Sequence, residues 1–168
     1  MEQFPADVNK NDPHELKKQI AAGRYALLVI QLLTVVNLVM VLLDRGSCFL
    51  FTASVPYYLT LLARGLDNGF ADAAWTVFGA YTYAALAVSV VILALYFLCW
   101  LLSREHPGWL AAAFVLFLLD SVAMLILTHL LYGSLLPMAL DVFLHGWALW
   151  QLWQAVRANR KRKEQTGA

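Results

Sequence analysis

Residues 109–153 read WLAAAFVLFLLDSVAMLILTHLLYGSLLPMALDVFLHGWALWQLW. Two apolar runs, Trp109–Leu131 and Leu135–Val156, flank the short connection Tyr132-Gly133-Ser134. Each run matches the roughly 20 residues a helix needs to cross the hydrocarbon core of a bilayer. A connection this short forces the two helices to run antiparallel, so the sequence predicts a transmembrane hairpin. Asp120 interrupts the first run midway, and Asp141 and His145 lie in the second.

The rest of the chain agrees. Of 168 residues, 61% are hydrophobic and only 14% charged, and the mean hydropathy is +0.65. A soluble domain of this size carries nearer a quarter charged residues and could not hide so much apolar surface. Tyr25–Leu43 and Ala74–Leu102 are further spanning candidates. The first starts too late and runs too long for a cleaved signal, and no small-residue cleavage site follows it. The second exceeds the bilayer thickness, which predicts tilt or an extension into water. Within it, Ala80 and Ala84, and Ala85 and Ser89, repeat at the spacing of four that lets helices approach closely.

The stretch 47–63 is apolar but short, contains Pro56, and ends at the turn signal Gly65-Leu66-Asp67-Asn68-Gly69. Its length suits a re-entrant or interfacial segment better than a span. Basic residues decide the matter, because they concentrate on cytoplasmic flanks. If 47–63 does not cross, ten of the twelve Lys and Arg fall on the side of the termini, and only Arg45 and Arg64 on the other. If it crosses, the best orientation is seven against five. The expectation is therefore an all-α integral membrane bundle of four transmembrane helices, spans 25–43, 74–102, 109–131 and 135–156, with a partly membrane-embedded outer loop. Residues 1–24 form a cytoplasmic N-terminal segment, in which Asp12 is positioned to cap a short helix starting at Pro13. Residues 157–168 form a basic cytoplasmic tail.

Aromatic residues support the same topology. Trp100, Trp109, Trp150 and Trp153 fall at one level near the inner surface, and Trp75 and Tyr132 near the outer one, as interfacial belts require. The cluster Arg157, Arg160, Lys161, Arg162 and Lys163 is expected to face anionic inner-leaflet lipid at about 1 kcal/mol per basic residue. That topogenic role explains the cluster without nucleic acid. Cys48 and Cys99 sit near opposite membrane surfaces in this scheme and have no metal or redox spacing; they are expected to be packing residues.

The ionisable groups carry the functional expectation. Asp120 lies eleven residues before Leu131 and His145 ten residues after Leu135, so equal rise per residue puts them at one depth near the bilayer centre. Asp141 precedes His145 by four residues, about 400° of helical rotation, and shares its face. Gln31 is expected level with Asp120 and His145, and Asn37 level with Asp141. A carboxylate at the centre of a span costs about 2.5–3.5 kcal/mol on insertion scales, and such groups commonly serve a proton or ion site. His129, half a turn away from Asp120, is expected to face elsewhere.

Asp120, Asp141 and His145 could in principle supply three metal ligands, but HExxH is absent; whether a metal binds is left open, and no organic cofactor is expected. No G-x-S-x-G elbow or glycine-rich phosphate loop appears, and an enzyme is the less favoured reading. The expected function is transporter-like or ligand- or ion-binding, through Asp120, His145, Asp141, Asn37 and Gln31. The alternative is a membrane scaffold or accessory subunit whose buried polar groups fix helix packing. Transport would need a homo-oligomer or larger complex, since four helices seldom enclose a pathway, and the expected location is the plasma (inner) membrane.

Overall fold

The computed structural model describes residues 12–45, 52–69, 78–106, 108–132 and 139–166. Cys48, Trp75, the Gly133-Ser134 turn and the Leu135–Met138 start of the expected fourth span lie outside these residues. The chain is all-α, with five helices: α1 Pro13–Leu42, α2 Ser54–Asp67, α3 Ala80–Leu102, α4 Gly108–Tyr132 and α5 Ala139–Thr166. Three of them are long and apolar enough to cross a membrane: α1, α3 and the Gly108–Leu130 part of α4.

The expected cap holds. The Asp12 side chain accepts a hydrogen bond from the His14 N–H at 3.0 Å, and Pro13 takes the first helical position, where its missing N–H costs nothing. The short helix expected before the first span is, however, continuous with it. Nothing breaks the helix at Gly23, because that glycine serves packing: a Cβ there would collide with the Cβ of Ala155 on α5. With 30 residues, α1 is about 45 Å long and overshoots a ~30 Å hydrocarbon core. The basic tail is likewise helical, since α5 runs unbroken to Thr166. Leu16 and Ile20 of α1 pack on Ala158 of α5 beyond the main core, so the start of α1 and the end of α5 lie together at one end of the molecule.

At its other end α1 stops with Asp44 in the left-handed region, φ 53°. The Asp44 N–H donates to the Val41 carbonyl and the Arg45 N–H to the Met40 carbonyl, which satisfies carbonyls that the helix end would otherwise orphan.

The helices α1, α3, α4 and α5 form a closed ring, each packing against its two neighbours, and the short α2 packs against α1, α3 and α4. The half of the ring nearer the termini is filled by Leu27, Ile30, Tyr96, Cys99, Leu110, Ala113, Phe117, Ala148, Leu152 and Ala155, all buried. The other half is filled by α2 itself. Of the small residues on α3, Ala85 and Ser89 are buried, and Ser89 meets α2 through the Thr60 hydroxyl and the Pro56 carbonyl, both at 3.4 Å. Ala80 and Ala84 face outward.

The end of α2 is tied to the start of α3. Asp67 accepts hydrogen bonds from the Gly79, Tyr81 and Thr82 N–H groups and from the Thr82 hydroxyl. Desolvation opposes ionisation here, but the donors from Thr82, Tyr81 and Gly79 prevail and hold the carboxyl below its ordinary range. A Cβ on Gly79 would run into this carboxylate.

Candidate functional site

The site lies where α2 begins. A helix start leaves its first N–H groups without intrahelical acceptors, and water normally takes them. Here the start is buried among four other helices: Ala53 is inaccessible and Ser54 nearly so. Every free donor of the first turn nevertheless finds a side chain. The Ala53 N–H donates to Thr34 Oγ1 of α1 at 2.8 Å. The Ser54 and Val55 N–H groups donate to Asp120 Oδ2 and Oδ1 of α4, at 2.7 and 2.9 Å. Pro56, the next residue, has no N–H to satisfy. Pro56 is thus part of the initiation of this helix and not a break in it.

Asp120 is thus a helix cap supplied from another helix. A carboxylate suits this position doubly, since its two oxygens match two adjacent donors and its charge complements the positive end of the α2 dipole. His145 lies beside it. The imidazole stacks on Phe117 with centroids 5.2 Å apart and planes 6° from parallel. Its Nδ1 is 2.9 Å from the Asp141 carbonyl oxygen and 3.3 Å from Asp141 Oδ1. A carbonyl can only accept, so Nδ1 carries a hydrogen. On the other side, Nε2 is 3.2 Å from Ser54 Oγ and 3.9 Å from Asp120 Oδ2. In the neutral ring Nε2 accepts from the Ser54 hydroxyl; in the charged ring it faces the Asp120 carboxylate.

Asp120, Asp141 and His145 therefore come together, at azimuth as well as at depth. Asn37 joins the edge of the group, its Nδ2 donating to Thr52 Oγ1 at 3.2 Å just before α2. Gln31 does not belong to it. Its side chain lies with Leu28, Leu32 and Val35 of α1 against Val90, Ala94 and Phe97 of α3. The register of α1 differs from that expectation by about one turn, since the level of Asp120 falls at Thr34 and not at Gln31. Thr34, one turn further on, takes the place expected of Gln31. Its hydroxyl donates to the Ile30 carbonyl at 2.7 Å while accepting from Ala53.

Ser54 and Thr52 could not have been singled out from sequence, because nothing local announces that a helix start is buried. His129 is exposed, as expected, and Ser121 turns back to the Phe117 carbonyl at 2.7 Å.

Three anionic or imidazole groups in contact do not amount to a metal site here. Asp120 sits on the Nε2 side of the ring and Asp141 on the Nδ1 side, so their oxygens do not converge on one point. Among the described residues no group of three or more His, Cys, Asp or Glu is arranged to hold a metal ion. An apolar crevice of about 280 Å³, lined by Val55, Ile92, Leu95, Tyr96, Leu116 and Leu119, reaches the Asp120 side chain between α3 and α4. Comparison with protein-family models, with curated proteins and with solved structures finds no match.

The basic residues of the C-terminal part of α5 project outward. Arg157, Arg160, Arg162 and Lys163 are exposed and Lys161 partly so, and Arg160 pairs with Glu164 at 3.4 Å.

Proposed function

We propose that this is a plasma-membrane protein with four spans, α1, α3, α4 and the apolar Leu135–Val156 stretch, both termini being cytoplasmic. In this reading α2 is a re-entrant half-helix entering from the outer face, and the Asp120–His145–Asp141 cluster binds a proton that controls how α2 is seated. The protein is then transporter-like or ligand-binding, working as a homo-oligomer or with a partner. The observation that carries the reading is the double role of Asp120: the carboxylate that holds the first turn of α2 lies 3.9 Å from a titratable ring.

The two protonation events act oppositely. A proton on Asp120 turns one of its oxygens into a donor, which faces an N–H and weakens the seat. A proton on His145 places a positive charge beside the carboxylate and keeps it ionised. Such opposed effects on one buried helix end are what a two-state element needs. The non-helical backbone of Thr52 and Ala53, buried within the protein, is admissible at membrane depth under the same rule that forbids it against lipid.

A second reading, a scaffold whose polar groups only fix packing, is favoured by one fact. All first-turn donors of α2 are already satisfied, so the cluster has an architectural use without any ligand. Hydrogen exchange of residues 52–58 in nanodiscs, corrected for the intrinsic pH dependence of exchange, separates the two. Under the first reading protection changes stepwise with pH, and the step moves or vanishes in His145→Ala. Protection that is flat with pH in both proteins establishes the scaffold.

A further inference from the structure

Two orphaned donors on α1 lie outside the cluster and point to a different site. Arg24 Nε and Gln31 Nε2 are buried atoms without a hydrogen-bond partner among the described residues. Arg24 reaches the Trp100 carbonyl only weakly, through Nη2 at 3.5 Å. Its guanidinium sits 5.4 Å from the Trp100 ring centroid, and that of Arg104 sits 5.3 Å from the same ring. Two like charges thus gather on one indole, and none of the ion pairs among the described residues includes either of them. They border a pocket of about 170 Å³ lined also by Ala21, Tyr25 and Leu28. That is several times the roughly 30 Å³ share of one water, enough for a phosphate group.

Leu28 also opens a second feature. An apolar groove of about 450 Å³ runs from it between α1 and α3, past Leu32 and Val35 on one side and Val90, Ala94 and Phe97 on the other. Gln31, whose Nε2 has no partner among the described residues, lines this groove, two turns and about 10 Å along α1 from Arg24. An anion site at one end, an apolar trough leading away from it, and a lone donor between them match the parts of one molecule.

We propose that the α1–α3 groove binds an anionic phospholipid. Arg24 and Arg104 hold its phosphate, Gln31 donates to an ester oxygen, and an acyl chain lies in the groove. Arginine forks suit phosphate oxygens bidentately, and Trp100 marks the headgroup level, where indole rings favour the membrane interface. The site is separate from the basic surface of α5 and needs none of its residues. It rests on the membrane reading given above.

Native mass spectrometry of the full-length protein, titrated in detergent with phosphatidylglycerol or phosphatidylcholine, tests it. The wild type should retain one phosphatidylglycerol with at least a tenfold preference over phosphatidylcholine. The double variant Arg24→Gln/Arg104→Gln should lose that preference. Ala94→Phe, which narrows the groove and leaves the charges intact, should weaken both lipids severalfold. Free glycerol phosphate should not compete. Persistence of the preference in the double variant overturns the proposal. So does its loss on neutralising Arg160, Lys161, Arg162 and Lys163 instead, or effective competition by glycerol phosphate. Flotation with liposomes separates this failure from failure of the membrane reading: a protein that floats but shows no preference refutes the lipid site alone.

Discussion

At the scale of single residues, the cost of an aspartate deep in an apolar helix is offset by the two N–H groups it satisfies. Leaving a buried donor unpaired costs about 1–3 kcal/mol, so Asp120→Ala, which strands both Ser54 and Val55, should destabilise the protein by about 2–5 kcal/mol. Asp120→Asn keeps one acceptor oxygen and should cost roughly half as much. Thr34 provides the matched control, with one N–H at stake. Thr34→Val removes the acceptor at nearly constant volume and should cost about 1–3 kcal/mol, whereas Thr34→Ser keeps the oxygen and should stay within about 1 kcal/mol of wild type. Unfolding in mixed micelles measures all four. A near-neutral Thr34→Val would show that the Ala53 donor finds another acceptor. Sequence reasoning located Asp120, His145 and Asp141 because rise per residue is a local property. It misplaced Gln31 and passed over the role of Thr34, because azimuth and register depend on how the helix packs.

At the scale of elements, α2 is tied to its neighbours by side-chain caps at both ends. Its first turn is capped by α1 and α4, and its last turn caps α3 through Asp67. The long helices depend on close approach instead. Gly23 of α1 lies so close to Ala155 of α5 that a Cβ on it would collide with the alanine. Gly23→Ala should therefore strain the crossing, at about 1–3 kcal/mol for an overpacked core, although alanine is the better helix former. Ala155→Gly should recover much of that loss in the double variant, and a double-mutant cycle in micelles reads the coupling. Additive effects would mean that the two helices separate easily at this level. Here the sequence was a fair guide to helix existence and a poor one to helix ends. The length of the apolar runs predicted the spans, but the continuation of α1 and α5 past the apolar stretch is set by their packing on each other through Leu16, Ile20 and Ala158.

At the scale of the whole molecule, the ring of four long helices puts three segments at one end: the start of α1, the α3–α4 connection and the end of α5. The Arg24 contact with the Trp100 carbonyl ties the first two together, and the Leu16–Ala158 cluster ties the first to the third. In a membrane, single cysteines at His14, His106 and Glu164 should react with an impermeant reagent from one side, and cysteines at Asp44 and Asn68 from the other, in a background without Cys48 and Cys99. Labelling of Glu164 from the side of Asn68 would remove α5 as a span.

The apolar length that lets three helices cross a membrane, the antiparallel course of successive long helices and the shared level of Asp120 and His145 were all determined by the sequence itself. Hydropathy, charge and rise per residue are local quantities that survive without knowledge of packing. Only the tertiary structure decided that a short apolar stretch with a proline becomes a helix starting in the protein interior. A helix start inside protein must have its N–H groups answered, and the answering side chains come from Thr34 and Asp120, 19 and 66 residues away from their partners in the chain. Which oxygens meet which donors is a matter of helix rotation and contact, and no local pattern encodes it.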